Sequence, residues 1–328
     1  MILAVSTLKN PSSPADGYRG RFAPSPTGPL HAGSLLAALG SWLDARKNGG
    51  QWLLRIEDLD TPRCIPGADQ QIQAQLLACG LEQIQAQLLA CGLAWDEELT
   101  YQSQRQGLYQ EALEGLNQFK LLYPCTCSRQ TIANTLVELG VLTPRNQEMV
   151  YPGTCKPAQL KINTPDEIGL PKAAWRLALP KNCQIEFEDL ALGHQSQNLN
   201  SEVGDFVLRR NDGLFTYQLA VVVDDAQQAI THIVRGEDLL SNTARQIHLQ
   251  KVLGYETPQY LHLPLVLDEY GEKLSKQTLA TQINTQDEKH ALAELRKAAQ
   301  HLGLRNLPDG ENITIAEWLL AATRAWGS

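Results

Sequence analysis

No run of apolar residues in this 328-residue chain reaches the length of a bilayer span, and the opening MILAVSTLKNPSSPADG holds too short an apolar stretch for a secretory signal. A membrane protein or an exported one is not expected. A cytoplasmic location is, with residues 1–18 read as a flexible extension. An excess of positive charge is also missing: 28 Lys and Arg stand against 36 Asp and Glu, a net of −8. That balance disfavours indiscriminate nucleic-acid binding and leaves only a local basic face, such as one around Arg209 and Arg210, to receive RNA phosphates. Those two read equally well as solvated surface. What the chain does have is 43% hydrophobic residues, enough to bury a substantial core across a main domain and an insertion.

Two short stretches read poorly as core and well as grips for phosphate. The first is PSPTGPLHAGSL, Pro24 to Leu35. Residues 19–23 predict a strand that must stop at Pro24, because Pro24, Pro26 and Pro29 remove backbone donors and Gly28 frees the chain to turn. From His31 onward Leu35, Leu36, Leu39, Trp42 and Leu43 recur at helical spacing until Asn48, Gly49 and Gly50 end the helix. QWLLRIED, Gln51 to Asp58, then reads as a buried strand. Such a strand, helix, strand unit offers unpaired amides and positive potential at its helix N-terminus, with His31 and Ser34 beside it as donors. Taken alone, His31 reads more readily as an ordinary histidine in a turn. The second grip is GEKLSKQ, Gly271 to Gln277, where Lys273 and Lys276 put two ammonium groups near Ser275. A lysine-rich loop is usually just solvated, but YLHLPLVLD before it predicts a strand from Tyr260 to Asp268, and open α/β sheets bind ligands beyond such strand ends.

The chain resembles the catalytic core of the class I glutamyl-tRNA synthetase family. RFAPSPTG (Arg21 to Gly28), HAGS (His31 to Ser34), RIEDLD (Arg55 to Asp60), TYQLAVVVDD (Thr216 to Asp225), RGEDLLSNTARQ (Arg235 to Gln246) and KLSKQ (Lys273 to Gln277) stand in family order over roughly residues 19–280. Ser34 replaces a final histidine, Leu274 a methionine and Gln277 a final serine, and none of these removes a charged phosphate contact. The resemblance implies an α/β fold: a Rossmann-type parallel sheet with an inserted zinc-containing subdomain and short C-terminal helices. Its parts would be residues 19–122 and 204–280 for the catalytic domain, 123–203 for the RNA-facing insertion and 281–328 for the helices.

The resemblance also implies site residues. Glutamate would be held by Arg21, Phe22, Ala23, Pro24, Ser25, Glu57, Tyr217 and Arg235, and ATP by Pro24, Gly28, His31, Gly33, Ser34, Ser275 and Lys276. Arg21 and Arg235 suit planar carboxylates and Glu57 suits an ammonium, though which arginine meets which carboxylate is not readable. His31, Lys273 and Lys276 would stabilise phosphate charge during attack of the glutamate α-carboxylate on the α-phosphate of ATP, with Mg2+ carried by the nucleotide and no protein nucleophile. Asp224 and Asp225 read as the polar end of an apolar strand.

After Lys276 only 52 residues remain, too few for an anticodon-binding domain, and filled by helix candidates at Glu288 to Leu302 and Ile313 to Trp326. The expectation is therefore the truncated branch of the family. That branch activates L-glutamate with ATP without needing tRNA and passes it to the cyclopentenediol of queuosine in tRNA(Asp). A truncated enzyme charging a tRNA 3′ end, and a silent RNA-binding paralogue, stay open beside it, as does the expectation of a monomer.

Of seven cysteines, Cys125 and Cys127 in YPCTCSR and Cys155 in YPGTC form a partial zinc pattern. Three thiols alone make an incomplete site and read equally well as buried cysteines. The resemblance adds Tyr151 as fourth ligand to one structural Zn2+, a position that water could take instead. Cys64, Cys79, Cys91 and Cys183 read as structural. One feature lies outside the family pattern: QIQAQLLACGL stands at Gln71 to Leu81 and again at Gln83 to Leu93. Twelve residues advance a helix by about 120° beyond whole turns, so one apolar stripe cannot continue through both copies. Gly80 offers a break, and two short helices or a looped-out copy are expected.

Overall fold

A computed structural model describes residues 17–59, 70–141, 148–164, 173–266 and 282–327. Strand β1 (Arg19–Phe22), helix α1 (Ala32–Lys47) and strand β2 (Gln51–Ile56) form the expected unit, with Arg21 opposite Leu53 in a parallel pair. His31 caps the helix, its Nδ1 accepting from Ser34 N at 3.4 Å, and Gly49 carries the chain out at φ +63°. Helix α1 is buried along Leu35, Leu36, Leu39 and Leu43, each worth about 1.5–3 kcal/mol against exposure. The core begins earlier than expected: Tyr18 is buried and its hydroxyl donates to Asp44 Oδ2 at 2.5 Å, while Trp326 near the other end of the chain donates to Asp44 Oδ1 at 2.8 Å. Tyr18 is therefore not part of a flexible extension.

The second copy of the repeat is seated in the core. Helix α2 (Gln70–Ala90) runs unbroken through Gly80, and Ile84, Leu88 and Cys91 along it and just beyond it are fully buried. The expected break is absent because one glycine costs a helix only about 1 kcal/mol, and Gln, Leu and Ala around it are strong helix formers. Gly80 has a second use: a Cβ there would stand 2.9 Å from Pro26 O, so the helix lies close against the turn before α1. Gln87 bridges onward, accepting from Leu30 N at 2.7 Å and donating to Ile283 O at 3.4 Å. A protein lacking residues 71–82 keeps every one of the seated side chains from Ile84 to Leu93. Its melting temperature is expected to fall within about 5 °C of the full-length chain, and a collapse well beyond that would show that the first copy is structural.

Strand β3 (Thr100–Tyr101) pairs with β2, and helix α3 (Gln106–Gln118) leads to β4 (Leu122–Cys125) and α4 (Arg129–Glu138). The segment that follows feeds two sheets. Strand β5 (Ala174–Leu177) lies antiparallel between β4 and β8 (Val207–Arg209), while the hairpin of β6 (Gln184–Asp189) and β7 (Gly193–Asn198) joins β9 (His232–Gly236) and β10 (Gln259–Leu263) in a sheet of order β7-β6-β10-β9. The turn at Asn211, Asp212 and Gly213 forms as expected, with Gly213 at φ +89°.

Tyr217–Gln227 is helix α5, not the expected strand. Leu219, Ala220 and Val221 to Val223 are all buried, so burial on every side erased the helical period and left a β-branched run that imitates a strand. Strand β9 (His232–Gly236), helix α6 (Leu240–Leu253) and strand β10 (Gln259–Leu263) complete the second half, β9 and β10 parallel. Thr231 N donates to Arg19 O at 2.9 Å, laying β9 beside β1 so that the two halves of the parallel sheet meet there. Helices α7 (Glu288–His301) and α8 (Ile315–Ala325) pack on α1 through Leu295, Trp318 and Ala322. Among the described residues no helix is long and apolar enough to cross a membrane.

Candidate active site

The carboxyl ends of β1, β2, β9 and β10 open into one cavity of about 1370 Å³. An open sheet places its ligand crevice at such a switch in strand order, because the loops diverge there. Arg21, Phe22, Ala23, Pro24 and Ser25 line it from the end of β1, Glu57 from β2, Tyr217 from α5 and Arg235 from β9. His31, Gly33 and Ser34 line it from the start of α1. All eight residues expected to hold glutamate thus share one space with the helix N-terminus. Gly28 sits at φ +130° in the turn before α1 and is not among the lining residues. Lys273, Ser275 and Lys276 lie outside the described residues. The described chain on either side of them meets the site: Val266 lines the cavity, and Gln282 forms an antiparallel bridge with His31.

Beneath the cavity floor lies a buried ionic network. Arg21 donates through Nε to Asp225 Oδ1 at 3.0 Å, and Arg55 Nη1 stands 2.8 Å from the same oxygen. Asp224 receives Arg105 Nε at 2.6 Å, Gln102 Nε2 at 2.8 Å and the Tyr109 hydroxyl at 2.8 Å. The two aspartates are therefore not a strand end but the counter-charges that keep arginines ionised under the site. Burial alone would push the Asp225 carboxyl up, yet Arg21 and Arg55 hold it below the ordinary range.

Glu57 is treated differently by its surroundings. Its nearest cation, Arg55 Nη2, is 3.6 Å from Oε1, and that oxygen is buried without a hydrogen-bond donor. Burial raises its pKa to about 7, with Arg55 and Arg21 pulling the other way. A buried carboxylate oxygen without a donor at the edge of a cavity is an open acceptor.

Arg235 is held on every side: Nε donates to His262 Nε2 at 3.1 Å, Nη1 to Gln246 Oε1 at 2.8 Å and to the Tyr217 hydroxyl at 3.4 Å, and Nη2 to Thr243 Oγ1 at 2.7 Å. Asp225, Arg55, Gln87 and His262 were not among the expected site residues. Arg55 and Asp225 stood inside recognised stretches, and their in-line position at strand or helix ends was the only signal.

At the other end of the same cavity, Cys125, Thr126 and Cys127 form part of the wall. The sulfurs of Cys125, Cys127 and Cys155 all lie within 4.8 Å of one another and could hold a metal ion. Cys127 and Cys155 sulfurs are 3.4 Å apart, and the Tyr151 hydroxyl lies 3.4 Å from Cys125 Sγ and 3.9 Å from Cys127 Sγ. A tetrahedral ion with bonds of about 2.3 Å separates its ligands by roughly 3.8 Å, so the three sulfurs fit, while the Tyr151 hydroxyl already accepts from Cys155 N at 2.8 Å and burial holds its proton. Gly204 makes this possible: at φ +74° it pairs with Tyr151, and any Cβ would stand 2.5 Å from Tyr151 O. Burial opposes ionisation of Cys155, but hydrogen bonds from Thr126 and its neighbours bring the thiol to about 7. Of the cysteines read as structural, Cys91 and Cys183 are buried, Cys79 is exposed and Cys64 lies outside the described residues.

The fold is that of a tRNA synthetase-like ligase, and the chain belongs to the family of tRNA synthetases class I (E and Q), catalytic domain, whose model matches residues 18–306. It is similar to the Glutamyl-Q tRNA(Asp) synthetase of Burkholderia cenocepacia (strain HI2424), 51% identical over 312 residues that cover 94% of this chain and 96% of that protein. The protein of the same name from Cupriavidus metallidurans is 51% identical over 311 residues, 94% of this chain and 91% of its own. Among solved structures, a glutamate tRNA ligase from Elizabethkingia meningosepticum in complex with its amino acid superposes with a TM-score of 0.70 at 27% identity over 93% of this chain. This chain spans 64% of that ligase's length.

Proposed function

We infer that this protein joins L-glutamate to ATP and transfers the glutamyl group to the cyclopentenediol of queuosine in tRNA(Asp). The observation that carries the reading is the single cavity that lines Arg21, Glu57, Tyr217 and Arg235 along one side of a helix N-terminus. It is supported by relatives of that name over nearly the whole chain. In the proposed reaction an oxygen of the glutamate α-carboxylate attacks the α-phosphorus and pyrophosphate leaves. A queuosine hydroxyl oxygen then attacks the carbonyl carbon of the mixed anhydride, and AMP leaves.

Each residue has a task in that scheme. Glu57 receives the α-ammonium, Arg21 and Arg235 the carboxylates, and the amides at the start of α1, with His31, the phosphate oxygens. His31 Nδ1 accepts from Ser34 N, which leaves Nε2 as the edge able to donate. Lys273 and Lys276 take the charge of the departing pyrophosphate, and Mg2+ accompanies the nucleotide. Activation proceeds without tRNA.

We assign Cys125, Cys127, Cys155 and Tyr151 to one structural zinc ion, whose bonds would tie the end of β4 to the turn after Tyr151. About one zinc per chain is expected by metal analysis, and C127S should lose it together with part of the thermal stability. Correctly folded protein without zinc would remove the assignment.

The reaction is tested with labelled glutamate and ATP, offered tRNA(Asp) bearing or lacking queuosine, and tRNA(Glu). Label should enter only the queuosine-bearing RNA, and pyrophosphate exchange should proceed with no RNA present. Label on tRNA(Glu) alone would sink the reading.

A further inference from the structure

We propose that Asp189 and His262 are positioning residues for Arg235, acting by fixing which ring nitrogen of His262 carries the proton. The inference rests on the reading of Arg235 as a glutamate ligand. Its starting point is chemical: a guanidinium only donates. Arg235 Nε points at His262 Nε2 at 3.1 Å, so that ring nitrogen must be bare and the imidazole proton must sit on Nδ1. There it meets Asp189 Oδ2 at 2.6 Å. The three side chains are 5%, 1% and 3% exposed in the order Arg235, His262, Asp189, so water does not compete for these bonds.

The carboxylate is itself fixed. Asp189 ends β6, and its Oδ1 accepts from Ala191 N and Leu192 N at 3.0 Å each and from His262 N at 3.3 Å. The tight turn after β6 therefore sets the carboxylate, the carboxylate sets the tautomer, and the tautomer offers a lone pair to Arg235. Burial and the Arg235 charge also hold the imidazole below its ordinary pKa, against the pull of Asp189, which keeps the ring neutral. With Nε tied in this way, and Thr243 and Gln246 on the terminal nitrogens, the guanidinium plane cannot rotate. A carboxylate arriving in the cavity meets a guanidinium of fixed orientation, and bonds to it by displacing one of the weaker acceptors, the Tyr217 hydroxyl at 3.4 Å or Leu239 O at 3.3 Å.

Asp189→Asn separates this role from plain packing. Asparagine keeps Oδ1 and the turn, but presents an NH2 where Oδ2 stood. His262 must then accept at Nδ1, and its proton moves to Nε2, where it opposes Arg235 Nε donor against donor and can turn only to the Thr243 hydroxyl at 3.2 Å, so the Arg235 Nε bond is lost either way. The expected result is a rise in KM for glutamate of roughly 10- to 100-fold, with KM for ATP within about twofold and little change in melting temperature. Ring nitrogen NMR should show His262 protonated at Nδ1 in the natural protein and at Nε2 in D189N. His262→Gln, whose amide can accept from Arg235 and donate to Asp189, should keep KM for glutamate closer to normal than His262→Leu. A ring protonated at Nε2 in the natural protein overturns the proposal. So does D189N with an unchanged glutamate KM while Arg235→Gln raises it. If R235Q itself leaves that KM unchanged, the assignment of Arg235 to glutamate fails instead, and the NMR result still decides the tautomer.

Discussion

Glu57→Gln is expected to lower kcat/KM for glutamate by roughly 100- to 1,000-fold, because it removes the buried charge that the incoming ammonium needs. The natural carboxyl has a pKa near 7, raised first by burial. Below that value the free enzyme carries a neutral acid at this position and cannot pair with a cation. The efficiency for glutamate should therefore rise about tenfold per unit as pH climbs toward 7, then level off above it. E57Q should lose that slope along with the rate. A variant that keeps the slope would show that another group titrates, and one that keeps the rate would place the ammonium elsewhere.

Asp225→Asn is the second change with a large expected effect, this time on the fold. Arg55 has no solvent exposure and Arg21 is 4% exposed, so neutralising their shared partner strands two guanidinium charges away from water. Removing one member of such a pair costs about 3–5 kcal/mol, readable as a shift of the urea midpoint. The direction with pH follows from the lowered pKa of the Asp225 carboxyl. Its contribution is complete above the unfolded value near 3.9 and fades as pH falls through the lower, folded one. D225N should be most damaging near neutrality and converge on the natural protein in acid. A loss below about 1 kcal/mol would mean that Asp224 and Glu57 alone suffice as counter-charges.

The parts of the fold that were legible in the sequence are those with punctuation. Pro24, Pro26, Pro29 and Gly28 mark the turn, Asn48 to Gly50 the helix stop, and Asn211 to Gly213 the hairpin, because each fixes a local backbone angle without help from distant residues. The Cys125, Cys127 and Cys155 pattern was legible as spacing, and the cluster formed. Helix α5 was not, since a helix buried on all sides offers no period and Val221 to Val223 favour strands when read alone. The ties of Asp189 to His262 and of Gln87 to Leu30 and Ile283 were illegible for another reason. Each joins residues far apart in the chain through one ordinary side chain, and only the register of β6 against β10, or of α2 against the turn before α1, brings them together.

The unbroken α2 has a genetic corollary. Because the two eleven-residue copies are letter-for-letter the same, with a twelve-residue period, any in-frame loss of twelve consecutive codons beginning between Gln71 and Glu82 encodes the same shortened polypeptide. Replication slippage across the tract would thus converge on one product, whichever codons were dropped, and that product still supplies Ile, Gln and Leu to the seat now filled by Ile84, Gln87 and Leu88.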